Sequence, residues 1–218
     1  ADYGPLSFHR THNLVFNYNY YLPKFIRGDN AGSKVAKAFL HDWQISGITT
    51  IQTGQPDNLS FSIDGVGNLN ERYTGSVNVG PRPVINRGFS YTKTDYSWID
   101  VAASGFALPP LRGSQGFDTS RNVVYRPGDH VWDISVFKNI PYWKNRESSY
   151  IQLRLEMFNA FNQVRFSDFN RSMTFSRDGS RIITLPNALG GAGGRFGFGA
   201  LTATRDPRII QLAAKIYF

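Results

Sequence analysis

Two histidines three residues apart, in His9-Arg10-Thr11-His12, are the first side chains here whose chemistry could serve a site, namely a metal ion. Side chains three apart on a strand project from opposite faces, so the pair is poorly placed to hold one ion. Asp133 and Glu156 could be imagined as an acid–base pair, but no further nucleophile or base accompanies them. The glycine cluster from Gly190 to Gly199 has the look of a phosphate loop without its context. It lacks a strand before, a helix after and a Gly-Lys-Ser/Thr ending, and reads as a flexible loop. The chain has no cysteine, which removes disulfides, thiolate catalysis and cysteine-based metal sites. The expectation is a protein that is not an enzyme, with no catalytic residues, no cofactor and no metal.

These residues are set among long alternating segments. In Thr11 to Pro23, Leu14, Phe16, Tyr18, Tyr20 and Leu22 share one face, and Asn13, Val15, Asn17 and Asn19 the other. In His41 to Gly54, Trp43, Ile45, Gly47, Thr49 and Ile51 oppose Gln44, Ser46, Ile48, Thr50 and Gln52. Val131 to Ile140 sets Trp132, Ile134 and Val136 against Asp133, Ser135 and Phe137. The cleanest alternation sets Ile151, Leu153, Leu155 and Met157 against Gln152, Arg154 and Glu156. Between these segments the pattern dissolves into Gly, Pro, Asn and Ser. Strands are expected at about 11–23, 41–54, 131–140, 149–162 and 206–218. A short helical turn is expected at Val35 to Leu40, a short strand at Asn58 to Asp64 and a hairpin near Asp178-Gly179. Long loops are expected at 55–130 and 163–205.

The chain ends on Ile209-Ile210-Gln211-Leu212-Ala213-Ala214-Lys215-Ile216-Tyr217-Phe218. Ile210, Leu212, Ala214, Ile216 and Phe218 form one apolar face, and the last residue is aromatic. Termini of soluble domains usually fray into water. An apolar strand closing on an aromatic resembles the C-terminal signature by which outer-membrane barrels are recognised by their assembly machinery.

Composition agrees. Aromatics are 15% and charged residues 18% of 218 residues, high and low for a soluble domain. No run of about 18 apolar residues exists, so no membrane-spanning helix is expected. A mean hydropathy of −0.33 is compatible with a barrel, where only alternate residues meet lipid. The net charge of +8 comes from scattered Lys and Arg, which disfavours a nucleic-acid patch. Arg154, Glu156, Gln152 and Asp133 then fall on a wet lumen. Tyr20, Tyr21, Trp43, Trp132, Tyr142 and Trp143, near strand ends, read as interfacial girdle residues. The fold class is all-β, an antiparallel transmembrane β-barrel segment with long extracellular loops, covering 1–218.

Asp42-Trp43-Gln44-Ile45-Ser46-Gly47-Ile48, Gln52-Thr53-Gly54-Gln55-Pro56, Trp132 to Asn139, Phe158-Asn159-Ala160-Phe161-Asn162 and Thr202 to Arg208 carry a resemblance over nearly the whole chain. In order and spacing they resemble the C-terminal barrel of TonB-dependent receptors, of the Oar-like, carboxypeptidase-regulatory-domain type. That resemblance implies a receptor or transporter whose surface loops capture a ligand before a plug rearranges. It implies as partners the remaining barrel strands and a plug on another chain or segment, the barrel assembly machinery, TonB acting through the plug, and outer-membrane lipid. It does not identify the ligand. Five strands are too few and odd in number for a closed bacterial barrel, so 11–23 and 209–218 are each expected to pair with strands outside these residues. Two other readings compete: a structural or adhesive surface barrel without transport, and a soluble carbohydrate-binding β-sandwich.

Overall fold

The computed structural model describes residues 3–85, 91, 97–99, 107–111, 119–141, 149–184 and 196–218. In chain order they form β1 (Asn13–Tyr21), α1 (Ala31–Leu40), β2 (Trp43–Gln52), β3 (Pro56–Asp57), β4 (Ser60–Ile63), α2 (Leu69–Thr74), β5 (Val84–Ile85), β6 (Ala107–Leu108) and β7 (Val124–Tyr125). Then follow β8 (Asp129–Pro141), β9 (Tyr150–Phe158), β10 (Phe166–Phe169), β11 (Ser172–Phe175), β12 (Leu201–Thr204) and β13 (Ile209–Tyr217). No described helix is long and apolar enough to cross a membrane.

The chain divides into two compact units. One takes Asn13–Gln52, His130–Arg165 and Asp206–Phe218. It is built on one five-stranded sheet in the order β1-β2-β8-β9-β13, so the five alternating segments of the sequence are the five strands, neighbours in chain order. The β1–β2, β8–β9 and β9–β13 ladders are antiparallel. The strands run 9 to 13 residues, which suits the roughly 9–11 residues a tilted strand needs to cross a bilayer. The sheet is open: β1 and β13 are its two edges, and they do not pair with each other. Connections 22–42 and 142–149 leave from one end, where β13 also finishes, and the longer connections 53–128 and 159–208 leave from the other.

Gly47 lets Tyr18 lie across the sheet. A methyl group at Gly47 would stand 2.5 Å from the Tyr18 ring carbon Cζ and 2.7 Å from the Asp133 carbonyl oxygen, closer than atoms pack. At the far end of β9, Asn159 and Asn162 both take positive φ of 51°. Asparagine tolerates that conformation better than bulky residues do. The Asn159 amide nitrogen also donates to Gln163 O at 3.0 Å.

The other unit takes Ala1–His12, Thr53–Asp129 and Phe166–Arg205. The sequence reads 55–130 and 163–205 as long loops holding a short strand at Asn58 to Asp64, which β4 matches, and a hairpin near Asp178-Gly179. The structure goes further, because described parts of the two segments pair with each other across the chain. β4 and β11 pair in parallel, Ser60 to Ser172 through Ile63 to Phe175. β10 pairs with β12, and a bridge joins Ser97 to Ala200. Strands of two to four residues are too short to show alternation, and their partners lie up to 112 residues away. Leu59, Ile99, Ala107, Val124, Phe169, Met173, Phe175 and Phe198 close into a buried core, with Phe61 set edge-on to Phe175 at 5.8 Å. The turn at Asp178-Gly179 is present. Ser176 N–H donates to Arg181 O at 2.8 Å, Phe175 bridges Ile182, and Gly179 takes φ +75°.

Candidate membrane surface and ligand cavities

The ladder registers sort the sheet into two chemically distinct faces. Across β8, β9 and β13, Ile134 stands beside Met157 and Ile210, Val136 beside Leu155 and Leu212, and Ile140 beside Ile151 and Ile216. Across β1 and β2, Leu14 meets Ile51, Phe16 meets Thr49, and Tyr20 meets Ile45. Lys138 ties the two halves, since its ammonium lies 5.4 Å from the centre of the Trp43 ring and donates to the His41 carbonyl. Lys138 is the one charged residue among these rows. It is buried, with its stem along the apolar surface and its charge carried to the strand end, the usual behaviour of a long basic side chain at such a place. Leu212 and Phe218 of the terminal strand are 81% and 95% exposed, so among the described residues nothing covers the apolar face at that edge.

The opposite face is polar and internally bonded. Gln152 Nε2 donates to Asn139 Oδ1 at 2.9 Å, Arg154 Nε to Gln152 Oε1 at 2.7 Å, and Arg154 to the Tyr217 hydroxyl at 3.1 Å. The Arg154 guanidinium also lies 5.3 Å from the Phe137 ring centre. Tyr150 and Tyr217 stack at 4.5 Å. Glu156 shares this face, opposite Ser135 and Gln211. Asp133 Oδ1 accepts the backbone N–H of Asn159 at 2.9 Å, which gives that carboxylate a turn-holding task. Among the described residues no group of three or more metal-ligating side chains occurs.

The aromatics divide. Tyr20 and Trp43 lie on the apolar face toward the end with the shorter connections. Trp132 shares that face's alternation toward the other end, with Phe161 edge-on at 5.8 Å. Tyr21 departs from the set: it pairs with Gln44 on the polar face, because neighbours along a strand point to opposite sides. Tyr142 and Trp143 lie outside the described residues.

The loop unit holds features the sequence reading missed. Asp57 accepts from Arg126 Nε at 2.6 Å and from Arg171, which also bonds Asp168 at 3.0 Å. Four alternating charges thus clasp segments more than 100 residues apart, which local pattern cannot reveal. One cavity of about 420 Å³ is lined by Asn58, Phe61, Asn70, Asn78, Arg82 and Arg121 among others. A second, of about 520 Å³, is lined by Tyr73, Pro109, Pro110, Arg72, Arg177 and Asp178 among others. Hydrogen bonds from Ser176 and Ser180 lower the Asp178 pKa to about 2. Burial pushes the Tyr91 phenol up, against the pull of the Tyr125 N–H it accepts at 2.8 Å. Amides, guanidinium groups and aromatic or proline surfaces are the means of holding a polar ligand with a ring or an anionic group.

One predominantly apolar face, with Lys138 its one charged residue, and one polar face on a single antiparallel sheet are the pattern of a membrane-barrel wall. A family model described as an outer membrane beta barrel domain matches residues 1–211. The chain belongs to that family, and its place is the bacterial outer membrane. No curated protein and no solved structure matches it.

Proposed function

We propose that this chain forms part of the barrel wall and the ligand-capturing surface loops of a TonB-dependent receptor. The observation that carries the reading is the two-faced sheet. Its apolar face, ending in Ile210, Leu212, Ala214, Ile216 and Phe218, meets lipid, and the face with Asp133, Gln152, Arg154 and Glu156 lines a wet lumen. Unpaired backbone groups in hydrocarbon cost several kcal/mol each, so β1 and β13 pair on their free sides with further strands of a larger barrel. Such a barrel is wide enough to take a plug. The folded loop unit, with its two cavities, suits capture of a ligand. Family membership sets aside the soluble sandwich. An adhesive barrel without transport would use the same wall and loops, and it differs in having no plug for TonB to act on. The test is binding of the complete polypeptide, extracted from outer membranes, to the periplasmic domain of TonB. Binding, together with a plug in the polypeptide's intact mass and sequence, is the expected result. A complete barrel with neither overturns transport and leaves adhesion.

A further inference from the structure

The connection between β1 and β2 carries a helix that neither barrel wall nor ligand capture requires. α1 is AGSKVAKAFL, capped at its start by Asn30, whose Oδ1 accepts the Ser33 N–H at 2.7 Å. Val35 and Phe39, one turn apart and so on one face, are 61% and 71% exposed. Lys34 and Lys37 occupy the opposite side, and the helix has no acidic residue. The segment 22–42 holds four basic residues, Lys24, Arg27, Lys34 and Lys37, against two acidic ones. Asp29 and Asp42 are each already paired, with Lys37 at 2.9 Å and Lys24 at 3.1 Å. Lys34 and Arg27 remain exposed.

The helix is not loosely tethered. The Trp43 indole N–H donates to the Phe39 carbonyl at 2.6 Å, and Trp43 sits at the end of the sheet's apolar face. Ile26 N–H donates to the His41 imidazole at 3.2 Å, and Leu22 N–H to the Trp43 carbonyl at 2.9 Å. Val35 and Phe39, with Phe25 74% exposed before them, are thus exposed apolar residues on a segment tied to the end of the sheet where its apolar face stops. An apolar stripe with a basic flank, at the rim of a lipid-facing sheet, has the composition of a helix that lies in a membrane interface. It leaves from the end with the shorter connections, and barrels place short turns in the periplasm.

We infer that α1 is an interfacial anchor on the periplasmic leaflet. Val35 and Phe39 enter the boundary of the acyl chains, and Lys34 and Arg27 contact anionic phospholipid headgroups. This rests on the apolar face of the sheet meeting lipid, and the test separates the two claims. The chain has no native cysteine, so an environment-sensitive fluorophore can be placed on Phe39→Cys, and in a second variant on Leu155→Cys. Any cysteine elsewhere in the complete polypeptide is replaced first. The labelled protein is folded into vesicles of zwitterionic phospholipid, with or without phosphatidylglycerol, and quenched by aqueous iodide. Heat-modifiable migration checks that each variant is folded. Both labels are expected to be shielded, with a several-fold further drop in quenching at residue 39 when phosphatidylglycerol is present. Arg27→Glu with Lys34→Glu should abolish that further drop. Shielding at 155 with free quenching at 39 overturns the anchor alone. Free quenching at 155 overturns the lipid face and the anchor together. Shielding at 39 that ignores phosphatidylglycerol overturns the headgroup contact.

Discussion

In the loop unit, Phe169, Met173, Phe175 and Phe198 are buried to 1% exposure or less, while among the described residues of the sheet unit the buried side chains are His41, Thr49, Lys138, Ser149, Gln152 and Asn159. The sheet keeps Leu14, Phe16, Leu153, Ile210 and Leu212 on its surface. A single chain thus places its apolar residues in two opposite ways, and the difference follows from the solvent each unit answers to. Water drives the loop unit to close over its phenylalanines. The sheet is held by its backbone ladders, and its apolar side chains find their favourable surroundings in lipid instead of in one another.

The largest effect expected from breaking this comparison is in the loop core. Phe175→Ala removes a fully buried ring of β11 that packs edge-on against Phe61 of β4, and should cost about 3–5 kcal/mol of that unit's stability. The loss is expected to stay within that unit, because every residue of that core belongs to it and none to the sheet. Faster hydrogen exchange and proteolysis in 55–130 and 163–205, with a barrel still resistant to unfolding in detergent, is the expected signature. Collapse of both units together would show that they are one cooperative body.

Next in size is the sheet's apolar face. Leu153→Arg should cost roughly 2–4 kcal/mol near the bilayer midplane, whereas Gln152→Arg, one residue away on the polar face, should cost much less. Reversible unfolding by denaturant in vesicles measures both. Similar costs at 152 and 153 would remove the basis for assigning either face.

The difference between the units also explains what could be read in advance. Alternation is imposed along a strand when its two faces meet different solvents, so β1, β2, β8, β9 and β13 were legible. The alternation in Ile151 to Met157 sorts these residues into the same two rows that the ladder register forms. The loop unit left no such record: β3, β5, β6 and β7 are two residues each, and the Asp57–Arg171 contact spans 114 positions. Its core residues were present in the sequence as isolated apolar positions without a period. The helix was legible only from Val35. Its true start at Ala31 was signalled by Asn30 three residues before Ser33, a capping pattern obscured by the glycines around it. Tyr21 shows the opposite hazard, because an aromatic near a strand end reads as a girdle residue until the register assigns its face.

A smaller effect tests packing on the sheet's own surface. Gly47→Ala would put a methyl group against Tyr18 and the Asp133 carbonyl, and overpacking of this kind costs about 1–3 kcal/mol. Removing the Tyr18 ring should relieve it, so Tyr18→Ala with Gly47→Ala should be less unstable than the sum of the single changes. Additive costs in that double-mutant cycle would mean the ring does not occupy the glycine's space.

The smallest effect expected belongs to the loop unit and depends on pH. Asp178 is held at about 2, below its ordinary 3.8, by hydrogen bonds to its carboxylate from Ser176 and Ser180. A carboxyl whose folded pKa is depressed stabilises the fold fully above its unfolded pKa, and that contribution is lost as pH falls through the folded value. The turn at Asp178-Gly179 should therefore be unchanged from neutral pH down to about 4 and should loosen between about 4 and 2. The side chain is exposed, so the effect is confined to the turn and weakened by salt. The chemical shift of the Ser180 amide, followed through an acid titration, should move with a midpoint near 2 and lose that step in Asp178→Asn. A midpoint near 3.8 in the native chain would show that the serine hydroxyls do not hold the carboxylate, and that this turn is set by Gly179 alone.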